Sequence, residues 1–433
     1  MAKKVKFQTP VGMHDILPRD QGHFKKVYDI VDEVARFYNF GKIDTPIVED
    51  MGLYEKGTGT TTDIVEKQMF VLRTKGGDTL ALRPEFTPGT ARAYIQHGMN
   101  ALPQPVKLYS HGPLFRYEHP QAGRFREFHQ FNFEVLGEQA TAMDAQIIQI
   151  FYSILSELKF SHLIIEVNSI GDSQCRPYYK KLLVSFLRSR QNSLCADCRR
   201  RIRENPLRVL DCKEEKCQRV KSQAPQIIDH LCDECKNHFK SLLEFLDEAD
   251  LPYHLDPYLV RGLDYYTKTV FEIFSEKDII PKEEDASVAR NALVGGGRYD
   301  ALIKLLGGKD VPGVGAAAGI ERIVALLKEK GEAKTEPKAQ IFLAQLGDLP
   351  KKRTLKLMEE FRKAKIDIVE SLGRDSLRTQ LARADKLKTQ YTLILGQREV
   401  LNDTIVVRRM DTGEQKTVKL DKVMDEMKKH LRK

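Results

Sequence analysis

Hydrophobic residues at helical spacing open the chain and then give way to extended segments. Apolar positions recur every three or four residues over 20–40, which predicts an amphipathic helix that leads into a strand at 42–48. Two short apolar runs, 69–72 and 80–82, flank the turn-rich segment 74–78 and predict an antiparallel hairpin. Strands gathered without a regular strand–helix alternation predict an α+β domain around an antiparallel sheet.

The pattern changes twice further along the chain. Residues 174–250 are charged, hold most of the cysteines and interrupt two strand-rich regions, so they are predicted to be an insertion. This divides the first domain into 1–173 and 251–328. The charged run 329–338 predicts a linker, and the alternating strands and helices of 339–433 predict a small α/β domain.

Composition narrows the class of protein. With 433 residues, 41% hydrophobic and 30% charged, the chain is long enough for several globular domains. It has no apolar run long enough to span a bilayer, and no apolar stretch of signal-peptide length follows its basic start, so we expect a cytoplasmic protein with no membrane partner. The net charge of +9 suits a polyanionic partner, and a solvated surface explains it equally well.

The cysteines are spaced as metal ligands rather than as a secreted disulfide framework. There are seven, an odd number, and six lie in three close pairs between 195 and 235, which is typical of a reducing compartment. Two C-x-x-C pairs that are 33 residues apart predict a four-thiolate structural Zn²⁺ site, with Cys212 and Cys217 as rival ligands and Cys175 as a bystander. Reduced thiols without a metal are the alternative. The predicted ligands are Cys195, Cys198, Cys232 and Cys235.

A strand–loop–strand segment at 115–134 carries charge at its turn. Arginine matches phosphate oxygens bidentately, so Arg116 could hold a phosphate while Gln130 and Glu134, on one face of a strand, bind a polar ligand. A solvated charged hairpin explains this segment as well when it is considered alone.

Three segments together resemble the motifs of class II aminoacyl-tRNA synthetases. Phe115-Arg-Tyr-Glu118 resembles motif 2, and 311–322 resembles motif 3, a glycine-rich strand that leads into a helix with an arginine for ATP. Residues 42–54 are similar to motif 1, which forms the homodimer interface in this class. The resemblance implies ATP as substrate, with Mg²⁺. It implies ATP contacts from Arg116, Glu118, Arg124 and Arg322.

Two more segments resemble the histidyl-tRNA synthetase family in particular. Residues 82–92 are similar to its Arg-Pro-Glu-Gly-Thr element, and 259–271 match its Arg-Gly-Leu-Asp-Tyr-Tyr signature. With 295–300, the resemblance extends from Gly12 to the C-terminal domain. The implied fold is α+β: a class II antiparallel-sheet catalytic domain, an inserted helical, cysteine-rich domain and a C-terminal α/β anticodon-binding domain. In that domain the basic side chains of 371–386 could face RNA, although a solvated helix face explains these charges nearly as well.

The implied activity is ligation of L-histidine to tRNA(His) through histidyl-adenylate. Arg261 and Arg116 would neutralise charge on the α-phosphate of ATP as the histidine carboxylate attacks it, and Arg322 would lie toward the γ-phosphate. The substrate ammonium offers three donors, and its neutral imidazole has one donor and one acceptor. The resemblance implies histidine contacts from Glu85, Phe86, Thr87, Gln130, Glu134, Arg261, Tyr265 and Tyr266.

Three other functions compete with this one. Phe86 stands where the family has glycine, as in the catalytically inactive paralogue that serves as regulatory subunit of ATP phosphoribosyltransferase. Arg261 and the C-terminal domain argue against that paralogue. Glu134 and residues 259–271 argue against a class II synthetase for another amino acid, and the two ATP motifs argue against a simple RNA-binding module.

Overall fold

The computed structural model of the chain describes residues 7–119, 124–275, 292–331, 339–373 and 376–431. The chain divides into two compact units, Met1–Ala333 and Lys334–Lys433. Most of the predicted linker at 329–338 lies outside the described residues. Among the helices described, none combines the length and the apolar character that a membrane crossing requires.

The first unit is built on a large sheet and a small one. Its strands are β1 (Gly41–Lys42), β2 (Val48–Asp50), β3 (Val71–Arg73), β4 (Thr79–Leu82), β5 (Val106–Phe115), β6 (Glu127–Leu136), β7 (Leu163–Ser169), β8 (Tyr253–Leu255), β9 (Thr267–Ser275), β10 (Val294–Arg298) and β11 (Gly313–Gly319). The large sheet has the order β1-β5-β6-β11-β10-β9-β7-β8 and the small one β2-β4-β3. Pairing in the large sheet is antiparallel except at its two edges, β1–β5 and β7–β8.

The helices of this unit are α1 (Pro18–Phe37), α2 (Met51–Thr58), α3 (Thr87–Gln96), α4 (Ala142–Glu157), α5 (Arg176–Ser189), α6 (Ala196–Glu204), α7 (Glu215–Lys221), α8 (Asp233–Glu248), α9 (Leu302–Leu305) and α10 (Ile320–Glu329). Helices α5 to α8 lie between β7 and β8 in the chain, so the predicted insertion is helical. The predicted hairpin is confirmed as β3 and β4. The strand predicted at 42–48 is wrong in its middle: only its two ends pair, and Pro46 between them lacks the N–H that a ladder needs.

The two faces of the large sheet have different surroundings. Alternation along β6 sends Phe131, Phe133 and Val135 into the hydrophobic core beside α1, α4 and α10. The intervening residues of β6 point to the opposite face, which carries Gln130, Asn132 and Glu134. One face of the sheet is therefore structural, and the other displays polar groups.

The second unit is a smaller α/β sheet. Its strands are β12 (Ile341–Gln345), β13 (Ile368–Glu370), β14 (Tyr391–Leu395), β15 (Thr404–Arg409) and β16 (Gln415–Lys419), and its helices are α11 (Asp348–Lys363), α12 (Leu377–Lys386), α13 (Gln397–Leu401) and α14 (Val423–Leu431). The sheet order is β13-β12-β14-β15-β16, with the first three strands parallel. The predicted α/β character is confirmed. Helix α12 packs on the sheet through Ala384, with Leu377 and Leu381 beside it.

Candidate active site

Glu134 is the most buried carboxylate on the polar face of the sheet. Its Oε1 accepts hydrogen bonds from Thr87 Oγ1 at 2.6 Å and Asn132 Nδ2 at 2.9 Å, and its Oε2 accepts one from the Tyr299 hydroxyl. Burial raises the pKa of Glu134 to about 7, although the hydrogen bonds from Thr87, Tyr299 and Asn132 act in the opposite direction. This carboxyl group can therefore exchange a proton near neutral pH.

Glu85, just before α3, forms a second buried acceptor. Tyr265 donates to it at 2.7 Å and Thr58 at 2.8 Å. Burial raises the pKa of Glu85, and the two hydrogen bonds oppose that shift. The Tyr265 ring lies 4.6 Å from the Tyr266 ring and 5.7 Å from the Tyr299 ring, measured between centroids. Contacts among these three tyrosine rings therefore connect Glu85, which Tyr265 contacts, with Glu134, which Tyr299 contacts.

Glycines make room for these side chains on the strands beside them. Gly315 of β11 is directly opposite Glu134 in the register, and a Cβ on Gly315 would overlap Glu134 Oε2. Gly295 of β10 is opposite Glu272, and a Cβ there would overlap the guanidinium of Arg261. The glycine-rich strands thus form the floor on which the charged groups lie.

Arg261 lies in the segment between β8 and β9 and pairs with Glu272 of β9 through Nη1 and Oε1. Its guanidinium carbon is 5.9 Å from the centre of the Tyr266 ring. Burial raises the pKa of Glu272, and the positive charge of Arg261 opposes that shift. The pairing fixes one end of the guanidinium group and orients it over the glycine floor.

A cavity of about 400 Å³ adjoins this arginine. The residues predicted to contact ATP all line it: Arg116, Glu118, Arg124 and Arg322. Gln130 and Arg261, predicted as histidine contacts, line it as well. Arg116 Nε donates to the carbonyl of Pro84 at 2.9 Å, and Arg322 Nη1 donates to that of Ala292 at 2.8 Å. Arg124 Nη1 and Glu118 Oε2 are 3.6 Å apart. With Arg208, five arginines lie on the wall of this cavity, which suits a polyphosphate.

The predicted histidine contacts fall into two places. Gln130 and Arg261 line the cavity, whereas Glu85, Thr87, Glu134 and Tyr265 are linked in the buried cluster beside it. Tyr266 joins the two through its contacts with Tyr265 and Arg261. Phe86 is placed differently: its ring is buried under the guanidinium carbon of Arg83 at 4.7 Å. The structure gives Phe86 a packing contact and does not bring it to the cavity wall.

Several site residues were not predicted from the sequence. Asn132 follows the same period-two alternation as Gln130 and Glu134, so that pattern could have revealed it. Glu272, Tyr299 and Thr58 carry no such signal, because they reach the site only through strand pairing and chain crossings. Glu321 was also not predicted: it accepts hydrogen bonds from the backbone N–H and the ring of His129 on β6.

The cysteines are arranged differently from the prediction. Cys195 and Cys198 lie with Cys212 and Cys217, and the four sulfur atoms are within 4.8 Å of one another. Cys232 and Cys235 lie in a separate group with Asp172 and Cys175, so the structure does not bring the two predicted C-x-x-C pairs together around one place. Cys175, predicted as a bystander, lies within that second group. Spacing along the chain does not reveal that α7 packs beside the turn before α6.

Comparisons with known proteins bear on the whole chain. The histidyl-tRNA synthetase family model matches residues 12–323, and the anticodon-binding domain model matches 340–430. The histidine–tRNA ligase of Dehalococcoides mccartyi is 41% identical over 98% of this chain and 100% of its own length. That of Aquifex aeolicus is 42% identical over 96% and 99%. The crystal structure of apo S. aureus histidyl-tRNA synthetase is similar at a TM-score of 0.78, with 32% identity over 97% of this chain and 99% of that one.

Proposed function

Since the chain belongs to the histidyl-tRNA synthetase family, we propose that the buried carboxylate cluster holds histidine and the arginine-lined cavity holds ATP. The chain is an ATP-dependent ligase that activates histidine as the adenylate and transfers it to the terminal ribose of tRNA. Its full-length relatives are ligases, which does not favour the regulatory-subunit alternative. The observation that carries the site assignment is the position of Arg261 between the two regions.

The carboxylate cluster suits histidine by charge and by hydrogen-bonding capacity. Glu134 and Tyr266 would flank the imidazole, and Glu85, Thr87 and Gln130 would receive the ammonium group. The carboxylates already accept hydrogen bonds from neighbouring hydroxyl groups, so acceptors are in place for the donors of histidine, and the charge of its ammonium group would be paired with a carboxylate rather than buried alone. A pocket of paired polar groups rejects an amino acid without matching groups by about 10⁴-fold or more.

The arginine-lined cavity suits the triphosphate. The histidine carboxylate attacks the α-phosphorus, so the reaction needs no nucleophile from the protein, only neutralisation of charge at that phosphate. Arg116 and Arg261 would lie on either side of it, Arg322 toward the γ-phosphate, and Glu118 and Arg124 at the loop over ATP. Mg²⁺ neutralises phosphate charge when bound with ATP, and the carboxylates of Glu118 and Glu321 on the cavity wall offer the oxygen ligands that it takes.

Replacing Arg261 tests this assignment. Arg261→Ala should lower histidine-dependent pyrophosphate exchange by at least about 10²- to 10³-fold, because it removes a charge that stabilises the transition state. Arg398→Ala, which removes an exposed arginine of the second unit, is the matched control and should leave exchange unchanged. Circular dichroism should show the same fold in both proteins. Near-normal exchange by a folded Arg261→Ala protein would contradict the proposal.

Glu272 is a positioning residue in the same proposal, because it contacts Arg261 rather than the substrate. Glu272→Gln keeps the shape and weakens the pairing, so kcat for exchange should fall by about 10-fold with little change in the KM for histidine. A rise in the KM for histidine with an unchanged kcat would contradict a role exerted through Arg261.

We propose a structural Zn²⁺ at Cys195, Cys198, Cys212 and Cys217. A tetrahedral ion bound by four thiolates at about 2.3 Å holds its sulfurs about 3.8 Å apart. Cys195 Sγ and Cys212 Sγ are 3.8 Å apart, and three of the four residues are buried. All seven cysteines are free thiols in the structure, so none of these four is committed to a disulfide.

We also propose the finer partners and location expected of this family. The cognate RNA would be tRNA(His), bound in part by the second unit, whose sequence matches the anticodon-binding domain. A homodimer would form through the motif 1 segment 42–54, and light scattering at several concentrations tests that state. The cytoplasm is the proposed location, because tRNA charging serves translation and the cysteines are free.

A further inference from the structure

A second group of metal-ligating side chains lies apart from the four-cysteine cluster. Asp172, Cys175, Cys232 and Cys235 each offer one ligand atom, and all four atoms are within 4.8 Å of one another. Cys175 Sγ is 3.5 Å and Cys232 Sγ 4.0 Å from Asp172 Oδ1. Cys175 and Cys235 are buried. Three sulfurs and one carboxylate oxygen therefore converge on one small volume.

This donor set suits zinc by number, type and spacing. Ligands at about 2.3 Å for sulfur and about 2.0 Å for oxygen, in tetrahedral geometry, hold a sulfur about 3.5 Å from the oxygen. The separations from Asp172 are close to that value. Thiolates favour zinc over magnesium or calcium, which take oxygen ligands.

The use of the cysteines points the same way. The chain has seven cysteines, and each belongs to one of the two groups, four in one and three with Asp172 in the other. An odd number cannot be paired completely as intramolecular disulfides, whereas two metal sites use every thiol. The glycine before Asp172 has a φ of +63°, and a Cβ on Gly171 would overlap Cys175 Sγ. The close approach of that thiol thus depends on a residue with no side chain.

The group joins the start of the first helix of the insertion to the start of its last helix. Asp172 and Cys175 directly precede α5, and Cys232 and Cys235 lie at the start of α8. The neighbouring Arg176 donates to the carbonyl of Tyr266 at 2.6 Å, within the histidine signature. The starts of α5 and α8 therefore meet beside the segment that carries Tyr266.

We propose that Asp172, Cys175, Cys232 and Cys235 hold a second structural zinc ion, which fastens the first helix of the insertion to its last helix. With the four-cysteine site, the chain then binds two zinc ions at separate places. The second ion ties α5 to α8 at their starts, and the first lies within the insertion.

Metal content tests this directly in the full-length protein, purified anaerobically with any histidine tag removed. Wild type should contain two zinc ions per chain, and Cys235→Ser, Cys175→Ser and Asp172→Asn one each. Asp229→Asn, which removes an exposed carboxylate nearby in the chain, is the control for Asp172→Asn and should keep two. Cys198→Ser should also keep one, because it removes only the four-cysteine site.

The outcomes separate the two sites. One zinc in wild type that disappears in Cys198→Ser but persists in Cys235→Ser would overturn the second site. One zinc that disappears in Cys235→Ser but persists in Cys198→Ser would support it and contradict the four-cysteine site. A native disulfide between Cys232 and Cys235, detected by thiol counting and mass spectrometry, would also overturn the second site.

A measurement on wild type alone covers the case in which the variants do not fold. Titration of the zinc-free protein with Co²⁺ should saturate at two equivalents, because cobalt takes the same tetrahedral sites and gives thiolate charge-transfer absorbance. The two sites should contribute to that absorbance in a ratio of about 4 to 3, following their thiolate counts. Saturation at one equivalent with the charge-transfer absorbance of a four-thiolate site would contradict the second site.

Discussion

Glu134 shows how its surroundings set the chemistry of one side chain. Water is excluded from it, and three neighbours donate hydrogen bonds to it. Burial favours the neutral form more strongly than the donors favour the charged form, so the pKa of Glu134 rises to about 7. A histidine imidazole that donates to this group would favour the charged form, and binding would therefore release a proton near neutral pH.

The pKa of Glu134 predicts how stability depends on pH. The pKa of this carboxyl group is about 7 in the folded protein, against an ordinary value of 4.5. The folded protein therefore becomes less stable relative to the unfolded chain as the pH rises between those two values. Glutamine does not titrate. The free energy of unfolding of wild type minus that of Glu134→Gln should therefore fall by about 2 kcal/mol between about pH 5.5 and about pH 8. Urea unfolding at both pH values measures it, and Glu33→Gln, at an exposed site, should show no such change.

At the scale of single residues, the sequence predicted the groups that belong to motifs and missed their partners. Arg261 and Arg116 were predicted to share a site, and both line the cavity. Glu272 was missed because it meets Arg261 only when β9 pairs with β10 and Gly295 leaves space. Phe86 was assigned to the histidine pocket by motif position, and its packing against Arg83 depends on contacts that motif position does not describe.

Strand β11 shows what an element adds to its residues. Gly315, Ala317 and Gly319 alternate onto the face that holds the site, opposite Glu134, Asn132 and Gln130 in turn. The intervening Ala316 and Ala318 point into the core. One short strand therefore provides space for the carboxylate cluster at one end and for the arginine-lined cavity at the other.

This arrangement predicts different effects at the two ends of β11. Gly315→Ala should lower kcat/KM for histidine by roughly 10- to 100-fold, because overpacking beside Glu134 costs about 1–3 kcal/mol. Gly319→Ala places its methyl group in open space and should leave the KM for histidine unchanged. Steady-state pyrophosphate exchange with varied histidine measures both. Equal effects of the two substitutions on that KM would contradict the assignment of histidine to the Glu134 end.

The insertion shows the limit of prediction at the scale of elements. Its status as an insertion was predicted from its charge and cysteine density, and its helical character was implied by the family resemblance; α5 to α8 have that character. The grouping of its cysteines did not follow, because a C-x-x-C pair recruits whichever ligands the packing of other elements brings near. Cys212 and Cys217 meet Cys195 and Cys198 through contacts around α6 and α7, and Cys175 meets Cys235 between the starts of α5 and α8.

At the scale of the whole molecule, the proposed function assigns the two reactions to different units. Adenylate formation would need only the proposed site in the first unit, whereas transfer to tRNA would also need RNA binding by the second. In the second unit, the buried side of α12 packs on the sheet, and Arg378, Arg383 and Lys386 are exposed. This is the helix whose basic side chains were predicted to face RNA. Because such side chains make electrostatic contacts with phosphates, the binding of tRNA would depend on the salt concentration.

Substitutions on α12 should therefore separate charging from activation. In Arg378→Ala/Lys386→Ala, the KM for tRNA should rise roughly tenfold, because each lost exposed ionic contact contributes up to about 1 kcal/mol. The slope of log KM against log salt should become shallower by about 0.7 to 0.9 for each phosphate contact removed. Pyrophosphate exchange should not change, because it does not involve tRNA. Lys352→Ala/Lys356→Ala on α11 removes the same charge and is the control. An unchanged salt slope in the α12 variant would contradict the assignment of α12 to RNA binding. An equal effect in the control would contradict it as well.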